Sequence, residues 1–444
     1  MIVRGLSVHR TSILAFLTAF ALGSFAPGCA PAASGDAAEE VEETSAAPLE
    51  RAAPREGAVE AADAPLPDDL SVAIVESTMQ RYTPDKLGGW SYTRGLYLWG
   101  QYLVYQRTHD ARYLNYIKAW VDRFVDKDGH LDNGLSNLDS MESGNPVLAL
   151  YRETRQDKYR LAAKQIRDRL KTYPRTSDGG FWHATSTSRQ HQLWADGVFM
   201  VNPFLARYGQ WVGEASYAND EAAKQLAVYG DHLQVANGLL KHAYDESRKQ
   251  SWADPKTGLA PEHWCRAIGW YGMATIDILE ILPLTHPRRA DLISKLKKLV
   301  AGFKTYQDPA SGRWFQVVDK GNLSGNWTET SCSAMYTYTI SRAVERGYID
   351  ASYRAVSAKG YEGVLQRISI GSDGRTNVAE ISIGTNVGDV AYYLARARET
   401  NDFHGLGAVL IMNEQLRRTG GDKGLGVGID LDLDIDLGIG LGKP

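Results

Sequence analysis

The alternation of short and long links between amphipathic helices constrains this 444-residue chain most. From about Asp69 to Arg418, apolar residues recur at i, i+3, i+4 and i+7, the period of a helix with one buried face. The pattern predicts helices at 69–82, 93–106, 111–125, 143–153, 157–172, 195–208, 219–240, 265–281, 287–304, 330–346, 350–367, 386–398 and 401–417. After the first, these fall into six pairs. Links within a pair are short, as in Thr108-His109-Asp110, Thr154-Arg155-Gln156 and Gly347-Tyr348-Ile349. Links between pairs are long, as at 126–140, 174–192, 242–263 and 306–328, and long links in a compact domain tend to carry function. Six such hairpins predict an all-α chain folded as an (α/α)6 barrel, a toroid of inner and outer helices. The first helix of each pair should be the inner one, because the ornate link precedes it, so that all inner N-termini meet at one mouth. The pairs do not repeat a sequence, which argues against an open solenoid; two all-α domains are the alternative.

The ends of the chain read differently. Arg4, His9 and Arg10 precede an apolar run from Ile13 to Phe25 that is short for a membrane span and fits a signal peptide. It closes on Ala26-Pro27-Gly28-Cys29, which is lipobox-like although it lacks the usual Leu. Residues 1–29 are therefore expected to direct export, with Cys29 lipidated and the protein periplasmic or anchored to the outer membrane; plain secretion is the alternative. Residues 30–66, rich in Ala, Glu and Pro, are expected to be a disordered tether. Residues 67–418 form the folded domain, and 419–444 a low-complexity tail to which no function is assigned. The net charge of −4 provides no basic face and excludes nucleic acid as a partner. The protein is expected to be a monomer that meets the membrane only through its lipid. An exported body permits a disulfide between Cys265 and Cys332, but two buried free thiols are expected. No Cys/His cluster has zinc-ligand spacing, so neither metal nor cofactor is expected.

If the inner helices converge, chemistry should sit at their starts. In order these are Trp90-Ser-Tyr-Thr-Arg-Gly95, Asn137-Leu-Asp-Ser-Met-Glu-Ser-Gly144, Trp194-Ala-Asp-Gly197, Trp264-Cys-Arg-Ala-Ile-Gly-Trp270, Glu329-Thr-Ser331 and Gly384-Thr-Asn-Val-Gly-Asp389. The outer helices begin blandly, as in Ala111-Arg-Tyr-Leu. Each inner start alone could be ordinary capping; six together point to a site. It would hold two carboxylates, Asp139 and Asp196, a cation, Arg266, and the aromatics Trp90, Tyr92, Trp194, Trp264 and Trp270, with His183, His191 and His242 in the links. Paired carboxylates among aromatic rings suggest carbohydrate chemistry, and an Arg among them suggests an acidic sugar. With 11 Trp and 23 Tyr, most aromatics must nonetheless be core. Asp196 follows Trp194, and a partly dry carboxyl there is expected to have a raised pKa, as a general acid needs; an N-cap Asp is the bland alternative.

The elements Leu138-Asp-Ser-Met, His191-Gln-Leu-Trp-Ala-Asp-Gly, Trp264-Cys-Arg-Ala-Ile-Gly-Trp-Tyr, Glu329-Thr-Ser and Gly384-Thr-Asn-Val-Gly-Asp-Val-Ala-Tyr-Tyr393 resemble, in this order, family 105 of the glycoside hydrolases. These are the unsaturated rhamnogalacturonyl hydrolases, with the unsaturated glucuronyl hydrolases of family 88 related to them. The resemblance spans roughly residues 70–418 and implies the same (α/α)6 fold. It implies Asp196 as general acid/base, Asp139 as the second essential carboxylate, and His242, Arg266 and Trp270 as contacts to an unsaturated uronate; Trp90, Tyr92, His191 and Trp194, from their places at the helix starts and in the links, are expected to bind substrate beside them. Ala267-Ile268, where relatives often have Gly-Asn, and Cys332, where a small residue is common, bear on substrate preference. The implied substrate is a lyase-generated oligosaccharide ending in a 4,5-unsaturated uronic acid. A conventional inverting glycosidase and a non-catalytic glycan-binding lipoprotein are the competing functions.

Overall fold

The structure, a computed structural model, describes residues 65–418; the expected signal segment, Cys29, nearly all of the tether and the tail lie outside the described residues. The helices are α1 (Leu70–Arg81), α2 (Tyr92–Thr108), α3 (Ala111–Val121), the short α4 (Asp139–Glu142), α5 (Gly144–Thr154), α6 (Asp157–Lys171), α7 (Gly197–Trp211), α8 (Ala215–Leu233), α9 (Cys265–Ile281), α10 (Arg289–Tyr306), α11 (Thr330–Glu345), α12 (Arg354–Leu365), the short α13 (Val390–Leu394) and α14 (Phe403–Arg418). Helices α2, α5, α7, α9, α11 and α14 pack each against the next, and α14 returns to α2, closing the inner ring. In five of the six pairs the first helix is the inner one, as the link lengths predict.

Burial follows from composition. Outer helices are amphipathic: α3 buries Tyr113, Tyr116, Ile117, Trp120 and Val121, a single stripe at helical spacing. Inner helices are enclosed on all sides, and α11 is buried continuously from Thr330 to Val344. Several of their buried polar residues are small ones that return a hydrogen bond to their own helix, as Thr339 does to the Met335 carbonyl.

The sixth hairpin differs from the sequence expectation. The 386–398 segment is not an inner helix; it holds only the one-turn α13, capped by the Asp389 side chain on the Tyr392 N–H, and runs on into the link. Its apolar spacing mimics a helix, but the segment also contains Gly388 and ends in a strand. The sixth inner place belongs to α14, and its outer partner is α1, the helix left unpaired in the sequence count. Asn413 on α14 donates to the Ser71 hydroxyl on α1 at 2.7 Å, and Arg107 on α2 bridges Asp69 and Glu414 at 2.8 Å each. The start of the domain therefore closes the ring against its end. Gly407 makes the seam possible: a Cβ there would lie 2.5 Å from the Leu96 carbonyl oxygen.

Helix α8 ends at Leu233, short of the predicted 240. The chain reverses there in a tight turn bridged from Gln234 to Leu240, with Gly238 at φ 85°. A Cβ at Gly238 would lie 2.2 Å from the Lys298 carbonyl of α10, so the turn seats directly on the next outer helix. Similar bridges follow α3 (Val125 to Leu131) and α6 (Arg175 to Phe181).

The links are stitched together by very short antiparallel pairs. β1 (Gln192–Trp194) pairs with β2 (Ala243–Asp245), β3 (Trp314–Phe315) with β4 (Thr328–Glu329), β5 (Ile368–Ile370) with β6 (Thr376–Val378), and β7 (Ile381–Ser382) with β8 (Arg398–Glu399). Further backbone bonds extend this stitching: Leu138 N–H to the His183 carbonyl, His183 N–H to Gln192, Cys265 N–H to Gln316 and Thr330 N–H to Glu380. Apart from β5–β6, which packs on α1, each stitch has a strand or backbone bond at or just before an inner helix start, so these links converge on one end of the ring.

Cys265, in the first turn of α9, and Cys332, in the first turn of α11, form a disulfide with Cα atoms 5.6 Å apart. Both are buried, as expected, but they are not free thiols. The helix starts bring the two sulfurs together, which 67 residues of sequence separation concealed.

Candidate active site

The β1–β2 register builds the centre of the site. Trp194 stands opposite Ala243, so the next pair along is Ala195 and His242, and the Ala195 N–H donates to the His242 carbonyl at 2.9 Å. Asp196 follows at once, and its Oδ2 lies 3.2 Å from His242 Nε2. Asp196 occupies the N-cap position of α7, yet its side chain caps no backbone amide. The bland capping role is therefore absent, and the carboxylate faces the histidine.

Asp139 arrives on α4, held by its own link. The Asn137 side chain accepts from the Ser140 N–H, and the Trp90 indole donates to the Ser140 carbonyl at 2.6 Å. His183 lies between the two acids, with Nε2 3.8 Å from Asp139 Oδ2 and its ring stacked on Trp194 at 4.3 Å. Asp196 is close enough for its charge to raise the titration of Asp139. Their side chains keep 31% and 13% exposure, so both open to solvent from a closely packed pit.

Their protonation differs, and in the opposite sense to the expectation for Asp196. Burial, and then the negative charge of Asp196, push the Asp139 carboxyl up to about 7, against the pull of Arg189. Burial acts on Asp196 in the same direction. There His242 as a hydrogen-bond donor, and the positive charge that His242 and His183 carry when protonated, outweigh it and hold the carboxyl below its ordinary value. The nearby tryptophan that suggested a raised pKa is outweighed by a histidine that pairing in space, not sequence, brings up. Burial and the Arg189 charge push His183 down to about 3, so its contact with Asp139 is not an ion pair at neutral pH.

Other expected residues join this cluster in different ways. Tyr92, at the start of α2, sets its ring edge against Trp270 at 6.4 Å and senses the charges of both acids and Arg266. Trp270 is buried and packs on Phe199 at 4.7 Å. Trp194 is 4% exposed, with His183 stacked on it and the Arg189 guanidinium 4.2 Å from its ring centre. Trp194, Trp264 and Trp270 are therefore walls of the pit, not open platforms for a sugar face. Trp90 is only partly buried and stacks on Trp120 at 5.7 Å.

Arg266, expected to hold a substrate carboxylate, turns its terminal nitrogens to the chain's own carbonyls, Ser382 at 2.5 Å and Ile383 at 2.7 Å, and lies 4.8 Å over Trp264. It fastens the link after β7 to the mouth. His191 is exposed, with φ 64°; it lies 3.7 Å from Glu246 and its ring packs on Trp182, so its contacts involve neither acid. Glu329 is buried and structural, accepting from the Cys332 and Ser382 N–H groups and the Ser331 hydroxyl. The sole grouping of metal-ligand types among the described residues, Cys265, Glu329 and Cys332, thus consists of a disulfide and a capping carboxylate.

Residues the sequence did not single out also meet here. Arg189 donates to Asn386 and carries positive charge toward Asp139. The Tyr393 hydroxyl lies 2.6 Å from His242 Nδ1, and the Asp402–His404 pair sits behind Tyr92. Tyr393 stands inside a quoted motif, but no spacing rule marks it as the partner of a histidine 151 residues away.

Residues 70–419 match Glycosyl Hydrolase Family 88. A solved glycoside hydrolase from family 105 of C. acetobutylicum ATCC 824 superposes with a TM-score of 0.74 at 33% identity, over 78% of this chain and 99% of that one. The unsaturated rhamnogalacturonyl hydrolase YesR of Bacillus subtilis is 26% identical over 315 residues, which is 69% of this chain and 86% of that protein. The 24.9 kDa protein in the picA locus of Rhizobium radiobacter is 42% identical over 147 residues, 33% of this chain. The chain spans 62% of the length of that protein and of a counterpart from Agrobacterium fabrum. With its helical ring, the paired acids at the mouth and these likenesses, the chain belongs to glycoside hydrolase family 88, alongside the members assigned to family 105.

Proposed function

We propose that this hydrolase releases a terminal 4,5-unsaturated uronic acid from oligosaccharides left by a polysaccharide lyase of the pectin or rhamnogalacturonan type. The observation that carries the proposal is two acids in one pit with different neighbours: Asp196 lies 3.2 Å from His242, which favours its ionised form, and Asp139 lies beside His183 and feels the Asp196 charge, which with burial favours its protonated form. The name of the Bacillus subtilis relative supports the substrate class. A C4=C5 bond conjugated to the ring oxygen is a vinyl ether, and its hydration needs one acid and one base together. A proton is added at C4, leaving positive charge shared by C5 and the ring oxygen. Water adds at C5 and gives a proton to the base. The hemiketal opens, the hemiacetal formed at C1 collapses, and the neighbouring sugar leaves. The dyad starts with its proton on Asp139 and its charge on Asp196, ends with the reverse, and resets by moving one proton between the two. No displacement occurs at C1, so the carboxylate-separation rule for retaining and inverting glycosidases does not apply.

Unsaturated disaccharides from several lyases should lose their ultraviolet absorbance on incubation with the protein. In heavy water the uronate product should carry one deuterium at C4. Cleavage of saturated chains with no such deuterium would transfer the site to a conventional inverting glycosidase. A glycan-binding surface is the weaker reading because Trp194, Trp264 and Trp270 are buried, and a binding face needs open rings.

The pH profile has a defined shape. kcat/KM reports the free enzyme. It should fall as pH rises through about 7, where Asp139 loses its proton. It should hold on the acid side until pH drops below the ordinary carboxylate range of about 4, because Asp196 stays ionised. A profile flat from about pH 6 to about pH 9 would remove Asp139 from the acid role.

A further inference from the structure

We propose that Tyr393 is a positioning residue, whose hydroxyl fixes the proton of His242 on Nε2 and so aims a hydrogen-bond donor at Asp196. This builds on the dyad described above and assigns a task to a residue that touches neither acid. The donor and acceptor count forces the arrangement. The Tyr393 oxygen accepts from the Gly388 N–H at 3.0 Å and lies 2.6 Å from His242 Nδ1. A phenol has one proton to give, and His242 Nδ1 is the single acceptor recorded for it among the described residues. If the hydroxyl donates to Nδ1, the ring of a neutral His242 must carry its proton on Nε2, and Nε2 lies 3.2 Å from Asp196 Oδ2. The chain of donors then runs from the Gly388 amide through Tyr393 to His242, whose Nε2 stands 3.2 Å from the carboxylate.

The surroundings hold this chain in place. Tyr393 and His242 are both fully buried. The Trp264 ring stacks on Tyr393 at 6.0 Å and lies 4.7 Å from His242. Gln316 donates to the Tyr393 carbonyl, and Arg266 ties down the link from which α13 rises. Burial pushes the Tyr393 hydroxyl well up, so it remains a donor across the working pH range. The other charged or titratable groups acting on this chain are Asp139 on α4, His183 before β1, Tyr92 on α2, Tyr229 on α8, Tyr392 on α13 and Glu262 in the link before α9; Arg189 and Arg266 act on the first three of these. None of them reaches His242 Nδ1.

Tyr393→Phe keeps the ring and its stacking while deleting the one donor to Nδ1. The neutral imidazole is then free to carry its proton on Nδ1, which turns the Nε2 lone pair toward Asp196 and raises the affinity of that carboxyl for a proton. The acid limb of kcat/KM should move up by about one pH unit or more. kcat should fall about 10- to 100-fold, the usual effect of losing an outer partner of a functional histidine, with KM nearly unchanged. Nitrogen-15 NMR of the histidine rings in the full wild-type chain reads the tautomer without any substrate. It should find His242 protonated on Nε2. A wild-type His242 protonated on Nδ1 would overturn the proposal even if the variant failed to fold. So would a folded Tyr393→Phe whose pH profile superimposes on that of the wild type. Absence of turnover on unsaturated disaccharides by the wild type would count against the substrate class and leave the tautomer result standing.

Discussion

Asp196→Asn should lower turnover of an unsaturated disaccharide by about 10³- to 10⁴-fold, the upper range for loss of a proton-transfer group. In the proposed cycle this carboxylate takes the proton from the water that adds at C5, and an amide cannot take it. The fold should survive. The Asp196 side chain caps no backbone amide of α7, so the helix loses no end bond, and the amide oxygen of Asn can still accept from His242 Nε2. The substitution also removes a negative charge that helps keep the Asp139 carboxyl near 7. The residual activity, measured across pH, should therefore lose its alkaline limb at lower pH than the wild type does. Asp139→Asn should be comparably damaging, because it deletes the resting proton, yet it should leave Asp196 ionised. A well-folded Asp196→Asn protein that keeps more than about a tenth of wild-type turnover would end the assignment of this residue.

How much of this was legible in the sequence depends on the range of the interaction. The 3.6-residue period found the inner and outer helices, and link length told them apart, because both are local properties. Periodicity failed where local apolar spacing was not decided by packing. The 386–398 segment looks helical but is mostly link, and the partner of α14 is α1, hundreds of residues earlier. Asp139 and Asp196 could be named because each lies on the approach to an inner helix, Asp196 two residues after Trp194. Their protonation could not, because for Asp196 it depends on His242 and for Asp139 on Arg189 and the Asp196 charge. Trp194 beside Asp196 was a true neighbour that pointed to the wrong sign. Arg266 was read by charge as a substrate clamp, whereas the carbonyls it holds, Ser382 and Ile383, lie more than 100 residues away. Tyr393 was invisible for the same reason.

Replacing both Cys265 and Cys332 by Ala should cost about 4 kcal/mol of stability, the value the chain-entropy model gives for a closed loop of this length. The loop includes α10 and the whole 306–328 link, so the unfolded chain gains much freedom when it opens. For a body of about 350 residues, with unfolding entropy near 2 cal/mol/K per residue, that corresponds to a drop in Tm of about 5 °C. Ala is the better replacement here, since Ser would place two hydroxyls in a buried site. The cap on α11 should persist, because Glu329 accepts from the Cys332 backbone N–H and not from its side chain. Arg266 also keeps its bonds to Ser382 and Ile383, so kcat at 25 °C should change little. The effect belongs to the cross-link only if a reductant lowers the wild-type Tm by a similar amount and leaves the double variant unmoved. Formation of such a bond calls for an oxidising compartment, which is where the expected signal segment would send the chain. A double-Ala protein melting within about a degree of wild type, in the absence of reductant, would mean that the ring of inner helices is held shut at α9 and α11 by packing alone.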